Sequence, residues 1–268
     1  MTLVLALKQE PDQRLDLAPL VPHLLEGKSA ADVAAIELQT TREKRTVGDV
    51  FDVKLEGGFD KIHVKGGSSR LDHLGAGLKD GEITLEGDCG HAAGRGMSGG
   101  SLVISGSAGP FAGSALSGGI MEIKGEAGDF LGGPLDGEIE GMSGGLLIVR
   151  GSAGARAGDR LRRGTIVIEG SAGDYAASRF IAGTLIAVKG AGILPGYLLR
   201  RGTIILGAAP ELAPTYVDCG AYSLAFAGLF ARFLAPYSKP AAELLAKRLN
   251  RFAGDTSVLG KGEIFFPG

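Results

Sequence analysis

The chain has no tryptophan, and only 6% of its 268 residues are aromatic. Its two cysteines, Cys89 and Cys219, are too few for a disulfide framework and are typical of a reducing cytoplasm. The formal net charge is −2, so the basic balance of a dedicated nucleic-acid-binding protein is missing. The sequence contains no run of about 18 apolar residues that could span a membrane, and it shows no secretory signal at its start. These absences predict a cytoplasmic protein that binds neither nucleic acid nor membrane.

Residues suited to catalysis or metal binding are also scarce. Only four histidines occur, and they are scattered. Cys89 and His91 lie two residues apart, but no second pair at metal-ligand spacing accompanies them. No Ser/His/Asp or Cys/His set can be assembled. We therefore predict no catalytic residue and no metal site in this chain.

Glycine, in contrast, is abundant, with 46 residues. A glycine precedes each of seven apolar runs, and the intervals between these glycines are 19, 19, 26, 19, 19 and 19 residues. The set is Gly81, Gly100, Gly119, Gly145, Gly164, Gly183 and Gly202. Such a period predicts stacked structural units, interrupted by one seven-residue insertion.

The residues around these glycines indicate strands. Apolar side chains recur two and four residues after each glycine, which is the period of a strand with one face inward. A third apolar column lies three residues before each glycine and requires another inward side in the same unit. We therefore predict a mainly β protein, a right-handed parallel β-helix with coils of about 19 residues.

Three regions follow from this interpretation. Residues 1–60 form an N-terminal capping segment, residues 61–207 the β-helix repeat domain, and residues 208–268 an α-helical C-terminal tail. Within the tail, the apolar pattern predicts helices over 222–233 and 241–252, and residues 262–266 resemble a last strand.

An apolar stripe is predicted on the outer face of the last four coils. It consists of Ile148, Val167, Ile186 and Ile205, each three residues after a repeat glycine. Because such stripes are rarely left open, either the tail or another subunit covers it. We expect the tail to pack there, with a partner subunit as the competing explanation, and we regard the stripe as a partner-facing candidate.

The insertion within the 26-residue interval is the second candidate site. Because the register resumes at Met142, the insertion must bulge outward as a loop, and loops on rigid scaffolds often carry contacts. Its acidic residues, Asp136, Glu138 and Glu140, could meet a basic partner. A solvated bulge without a partner is an equal alternative.

An arginine patch is the third candidate. Arg162 and Arg163 occupy the same two columns as Arg200 and Arg201, two coils further on, and Arg160 and Arg179 could join them. Two coils span about 10 Å, so these side chains would form one positive surface. It suits a carboxylate-bearing ligand or an acidic subunit, because arginine binds carboxylates in a bidentate manner. Solvated corner residues are the alternative.

Several stretches resemble a known family. The glycine-rich repeat is similar to the domain shared by glutamate synthase large subunits and the C subunit of formylmethanofuran dehydrogenase, and the latter resemblance covers nearly the whole chain. The stretches that carry it are 27–29 (Gly-Lys-Ser), 47–53 (Val-Gly-Asp-Val-Phe-Asp-Val), 125–132 (Gly-Glu-Ala-Gly-Asp-Phe-Leu-Gly), the inserted loop and 141–145 (Gly-Met-Ser-Gly-Gly). Residues 214–220 (Pro-Thr-Tyr-Val-Asp-Cys-Gly) resemble the methylotrophic branch, the C subunit of the formyltransferase/hydrolase complex.

The resemblance implies a non-catalytic scaffold subunit of a four-subunit complex. In this complex a formyltransferase subunit moves the formyl group from formyl-tetrahydromethanopterin to methanofuran, and a metal-bearing amidohydrolase-like subunit releases formate. A third partner, similar to the B subunit of the dehydrogenase, is also implied. The scaffold subunit would bind no cofactor firmly, although its arginines could contact the glutamate-rich methanofuran tail. The alternatives are a redox formylmethanofuran dehydrogenase and a free-standing β-helix enzyme or binding protein.

Overall fold

The computed structural model of the chain describes residues 2–222 and 226–268, and these residues form a mainly β protein. The strands are β1 (Thr2–Leu7), β2 (Leu15–Asp16), β3 (Glu37–Thr40), β4 (Arg45–Thr46), β5 (Phe51–Glu56), β6 (Lys61–Lys65), β7 (Leu71–Asp72), β8 (Glu82–Glu86), β9 (Ser101–Ile104), β10 (Ile120–Ile123), β11 (Leu146–Val149), β12 (Thr165–Ile168), β13 (Thr184–Ala187), β14 (Arg201–Leu206), β15 (Val217–Tyr222), β16 (Leu249–Gly254) and β17 (Lys261–Phe266). The helices are α1 (Pro22–Leu25), α2 (Ala30–Ala34), α3 (Val47–Val50), α4 (Ala227–Leu234) and α5 (Lys239–Leu245).

A large, mostly parallel sheet contains most of these strands. Its order is β15-β16-β17-β14-β13-β12-β11-β10-β9-β8-β6-β1-β5, and a smaller sheet has the order β4-β3-β2-β7. Strands β8 to β14 pair in parallel, each with the next one along the chain. Paired residues are 19 positions apart, except that Met121 pairs with Leu147 across the insertion. The predicted register and its single interruption are therefore confirmed.

The three predicted apolar columns face one core. Every member of the column three residues before the repeat glycine is fully buried, as are the two columns within the strands. A further row of small residues forms isolated parallel bridges between successive repeats: Cys89, Ala108, Ala127, Ala153, Ala172 and Ala191. Cys89 is thus a packed member of an alanine row, and burial raises the pKa of its thiol to about 12.

The repeat glycines permit close contact between neighbouring repeats. Gly119 has a φ of +78°, and a Cβ added there would lie 2.7 Å from the carbonyl oxygen of Gly100. Gly96 has a similar φ of +65°, but a Cβ there would meet nothing within 4 Å. The left-handed backbone and the close approach are therefore separate requirements, and of these two glycines only Gly119 meets both.

The N-terminal segment pairs with the beginning of the stack. Strand β1 lies between β6 and β5, in parallel with β6 and antiparallel to β5. Strand β2 pairs in parallel with β7, and ion pairs flank this contact. The guanidinium of Arg14 lies 2.7 Å from the carboxylate of Asp72, and His73 Nδ1 lies 3.0 Å from Asp16 Oδ2.

The prediction of an α-helical tail is only partly correct. Strand β17 continues the parallel stack beside β14, and β16 and β15 then extend the sheet in antiparallel fashion. The predicted last strand is confirmed, but the helix predicted over 241–252 ends at Leu245 and is followed by β16. Residues 250–254 pair with β17 instead, because tertiary hydrogen bonding overrides helical patterning. The helix predicted over 222–233 includes residues 223–225, which lie outside the described residues, and begins at Ala227.

The apolar stripe does not face a partner. Ile148, Val167, Ile186 and Ile205 are at most 1% exposed, because Leu234 of α4 and the apolar face of α5 pack over them. A polar network also holds the tail in place. Arg150 joins Glu122 and Glu169 at 2.8 and 2.6 Å, and Ser238, the N-cap of α5, donates a 2.7 Å hydrogen bond to Glu169. The tail is thus the cover of the stripe, and the partner-facing interpretation of these four residues is wrong.

Replacing Gly96 and the repeat glycine Gly119 in turn should separate the cost of a left-handed backbone from the cost of the close approach. We expect Gly96→Ala to lower the free energy of unfolding by about 1 kcal/mol through its positive φ alone. Gly119→Ala should cost at least about 3 kcal/mol, since it also forces the backbones of two repeats apart. Denaturant unfolding of both variants measures the difference. Equal losses would show that neighbouring repeats have room for a side chain at position 119.

The His73–Asp16 pair should make stability depend on pH. The hydrogen bond between His73 and Asp16 raises the pKa of the histidine above the ordinary 6.5, although burial acts in the opposite direction. The pKa of Asp16 is lowered below 3.8: although burial opposes this, the hydrogen bonds from His73 and Ala18 prevail. The stabilisation from His73 is therefore complete below pH 6.5 and is lost as the pH rises through the folded-state value, and that from Asp16 is lost in acid.

We expect the free energy of unfolding to fall more between pH 6.5 and 9 for the unchanged chain than for His73→Asn. Asparagine is a suitable replacement because it tolerates the φ of +55° found at this position. Unfolding curves across this pH range provide the measurement. Parallel pH profiles for the two proteins would contradict the assignment.

Candidate functional site

The corners of the later repeats place arginines above one another. Arg160 and Arg179 are equivalent residues of successive repeats, and both have left-handed backbones, with φ of 50° and 53°. Inter-repeat hydrogen bonds hold these conformations: the Arg160 amide donates to Ser178 O at 2.9 Å and that of Arg179 to Tyr197 O at 2.6 Å. Each conformation costs about 1 kcal/mol, which the stack offsets. The two arginine side chains therefore extend from equivalent positions of adjacent repeats.

A buried carboxylate lies at the centre of this corner. Asp159 is 1% exposed, and Arg179 binds both of its oxygens, at 2.9 and 3.0 Å. Ser178 donates a short hydrogen bond to the same carboxylate. Arg156 and Arg160 lie 3.9 and 3.7 Å from it. Three arginines thus surround one acid, and the corner retains positive charge.

A surface cavity of about 640 Å³ opens beside this cluster. Arg160, Arg179 and Arg200 supply its cationic wall, and Val258 brings the tail to its rim. The remaining lining is Gly137, Glu138, Ile139, Ile181 and Leu198. Three guanidinium groups beside apolar side chains, with one carboxylate at the edge, suit an anionic ligand that has an apolar portion.

The inserted loop folds onto the arginines of its own chain. Glu138 forms an ion pair with Arg95, and its backbone carbonyl accepts a 2.8 Å hydrogen bond from Arg160. Glu140 forms an ion pair with Arg162. Glu138 and Glu140 therefore bind basic residues of this chain, which corrects the expectation that they meet a basic partner. Asp136 is exposed at the outer edge of the loop.

The structure regroups the predicted arginine patch. Backbone hydrogen bonds stack residues 162, 181 and 200, as the repeat predicts, and all four predicted arginines are exposed. Only Arg200 of the four lines the cavity, where Arg160 and Arg179 join it. Arg162 is engaged by Glu140, and Arg163 and Arg201 lie outside the cavity lining.

Sequence reasoning missed Asp159, which organises the cluster. Its only signal is an acid one repeat before Ser178, at a corner flanked by arginines, and a single acid on a glycine-rich turn resembles a solvated residue. Across the described residues, no group of three His, Cys, Asp or Glu side chains is placed to hold a metal ion. None of the helices formed by these residues has the length and apolar character needed to cross a membrane.

Removing the buried carboxylate should destabilise this corner. We expect Asp159→Ala to lower the free energy of unfolding by about 2 kcal/mol, because three arginines then lack their shared acid. The exposed Asp136→Ala in the same region should change it by less than about 0.5 kcal/mol. Thermal and denaturant unfolding compare the two. A neutral Asp159→Ala would mean that the arginines are fully compensated by solvent.

No protein-family model matches the chain. It is 51% identical over 263 residues to the C subunit of the formyltransferase/hydrolase complex Fhc of Methylorubrum extorquens, and the alignment covers 98% of each protein. A shorter similarity, 31% identity over 91 residues, connects it with the C subunit of the molybdenum-containing formylmethanofuran dehydrogenase 1 of Methanothermobacter marburgensis. That alignment covers 34% of this chain and 23% of the relative.

The fold agrees with an experimental structure. In the X-ray crystal structure of the formyltransferase/hydrolase complex (FhcABCD) from Methylorubrum extorquens, in complex with methylofuran, one chain matches with a TM-score of 0.93. The match covers 99% of both chains at 42% identity. Sequence and structure agree over essentially the full length, and the chain belongs to the family formed by the C subunit of the formyltransferase/hydrolase complex.

Proposed function

We propose that this chain is the non-catalytic scaffold subunit of a formyltransferase/hydrolase complex. The complex transfers a formyl group from formyl-tetrahydromethanopterin to methanofuran and releases formate. Its other members are a formyltransferase, a metal-bearing amidohydrolase-like subunit and a subunit similar to the B subunit of the dehydrogenase, all in the cytoplasm. The observation that carries this proposal is the 51% identity over 98% of both chains, whereas the similarity to the dehydrogenase subunit covers only 34% of this chain.

The architecture supports a scaffold role. We infer that the stacked repeats coil as a right-handed parallel β-helix, with boundaries near residues 60 and 207. The in-register strands and the second row of bridges support this inference. A stack of this kind is rigid because each repeat bonds to both neighbours, and it offers long faces to several partners at once.

We further propose that the arginine-lined cavity contacts an acidic ligand tail, such as that of methanofuran. The residues present fit such a group: Arg160, Arg179 and Arg200 can bind carboxylates, and Ile139 and Ile181 can pack on aliphatic segments. Asp159 holds Arg179 in a fixed position, so less side-chain entropy is lost when a ligand binds. The chain would orient this tail, while the formyl chemistry takes place on the partner subunits.

Co-expression of the chain with the three partner subunits tests both proposals. We expect the unchanged chain to purify with them as one assembly that has formyltransferase activity. In Arg200→Glu, assembly should persist, but the apparent affinity for methanofuran should fall about tenfold, since an attractive charge becomes repulsive. The measurements are subunit composition by native mass and the dependence of turnover on methanofuran concentration.

Arg163→Glu is the matched control, because Arg163 is equally a surface arginine but does not line the cavity. It should keep normal methanofuran dependence. Unchanged turnover in an intact Arg200→Glu assembly would rule out the tail contact. A chain that never associates with partners would rule out the scaffold role, and a redox-active molybdenum or tungsten partner would indicate the dehydrogenase instead.

A further inference from the structure

The outer face of α4 remains apolar although its inner face already covers the stripe. Leu234 is buried, and Ala227, Phe230 and Ala231 pack against the covered stripe. On the adjoining face, Leu229 is 75% exposed and Phe233 51% exposed, and Phe226 just before the helix is 41% exposed. Their helical positions place these three side chains beside the buried face rather than opposite it. We call Phe226, Leu229 and Phe233 the outer patch.

The outer patch is held in place by the aromatic rings beneath it. Phe226 and Phe230 pack edge to face with centroids 6.1 Å apart, and Phe230 and Phe233 stack at 6.1 Å. Tyr237 packs against Phe233 at 5.8 Å. Exposed aromatic side chains that are already ordered lose little entropy on binding, which is the property of an interface anchor.

The segment that contains the outer patch is basic. Residues 226–248 contain four cations and one acid, Glu243, which lies 3.9 Å from Lys239. The other three cations, Arg232, Lys247 and Arg248, are exposed and form no ion pair with any residue that the structure describes. Arg232 lies one helical turn from Leu229 and forms the basic rim of the outer patch. An apolar centre with a positive rim complements a surface with apolar side chains and an acidic rim.

A strand edge also ends near this surface. Strand β15 is the last strand of the large sheet on this side, and its residues 217–221 are exposed. From Tyr222 to Ala227 the chain can span at most about 18 Å, so the start of α4 lies within that distance of the end of β15. Unpaired strand edges favour association with another chain, which adds directional hydrogen bonds to the apolar contact.

We propose that the outer patch, with its basic rim, is the docking surface for a partner subunit of the same complex. This inference rests on the proposed scaffold function and gives it a location. The partner presents apolar side chains against Leu229 and Phe233, bordered by aspartate or glutamate that faces Arg232. It thereby covers apolar surface that the tail brought outward when it closed the stripe.

Leu229→Asp and Phe233→Asp test this surface in the co-expressed complex, with an affinity tag on a partner subunit. We expect each variant to reduce the retained chain at least about tenfold, because a charge enters the centre of an apolar contact. Leu229 is 75% exposed, so Leu229→Asp should leave the unfolding midpoint of the isolated chain unchanged. Phe233→Asp also loses the ring contacts with Phe230 and Tyr237, so a small decrease in its midpoint is expected. Leu24→Asp, at a leucine 52% exposed on α1, is the matched control and should be retained normally.

The rim is tested separately by Arg232→Glu, which leaves every apolar contact in place. Retention should fall, and a wash at low ionic strength should show the largest difference from the unchanged chain. Normal retention of all three tail variants would overturn the docking surface while the scaffold role stands. Equal loss in Leu24→Asp would also overturn it, as would self-association of the isolated chain that Leu229→Asp abolishes without affecting the complex.

If the unchanged chain retains no partner, the scaffold proposal fails, and the docking surface fails with it. Retention of the unchanged chain together with normal retention of the tail variants would instead mean that only the docking surface fails, so the two failures are distinguishable.

Discussion

The structure depends on parallel hydrogen bonding between repeats in a register of 19 residues. Because each repeat bonds to the next at the same position, a residue that recurs once per repeat becomes a column through the molecule. Apolar columns form the core, the alanine row forms the second line of bridges, and glycines allow the backbones to meet. The constraint also acts on the surface: Phe111 and Phe130 stack with centroids 4.9 Å apart, close to the spacing of adjacent strands.

Departures from the repeat are where this chain acquires individual features. The insertion brings Glu138 to Arg95 and Glu140 to Arg162, so a loop that interrupts the period becomes one wall of the arginine-lined cavity. At the same corner, Arg156 occupies the position that Phe130 has in the preceding repeat. Its guanidinium carbon lies 5.3 Å from the centroid of the Tyr175 ring. The corner with Asp159 is therefore both a structural junction and a strongly cationic concave surface.

The C-terminal tail covers the apolar outer face of the last repeats. Their outer column turns apolar from Ile148 onward, and α4 and α5 bury it. Strand β17 meanwhile continues the parallel stack from a distant part of the sequence, and β16 and β15 change the direction of pairing. The outer patch of α4 is left as an apolar surface that is exposed among the described residues. Covering one stripe thus exposes another, which suits a subunit within a larger assembly.

The periodicity alone determined the strand positions, the inward columns, the 19-residue register and the outward insertion, because periodic packing repeats the same local solution. Family resemblance, carried by local motifs, was equally accessible from the sequence. The sequence could not decide that residues 249–254 pair as a strand, that Glu138 and Glu140 bind arginines of their own chain, or that Asp159 gathers Arg179 and its neighbours. These outcomes join residues from different repeats, the insertion and the tail. Only the tertiary structure brings them within hydrogen-bond distance, and that proximity has no periodic signature.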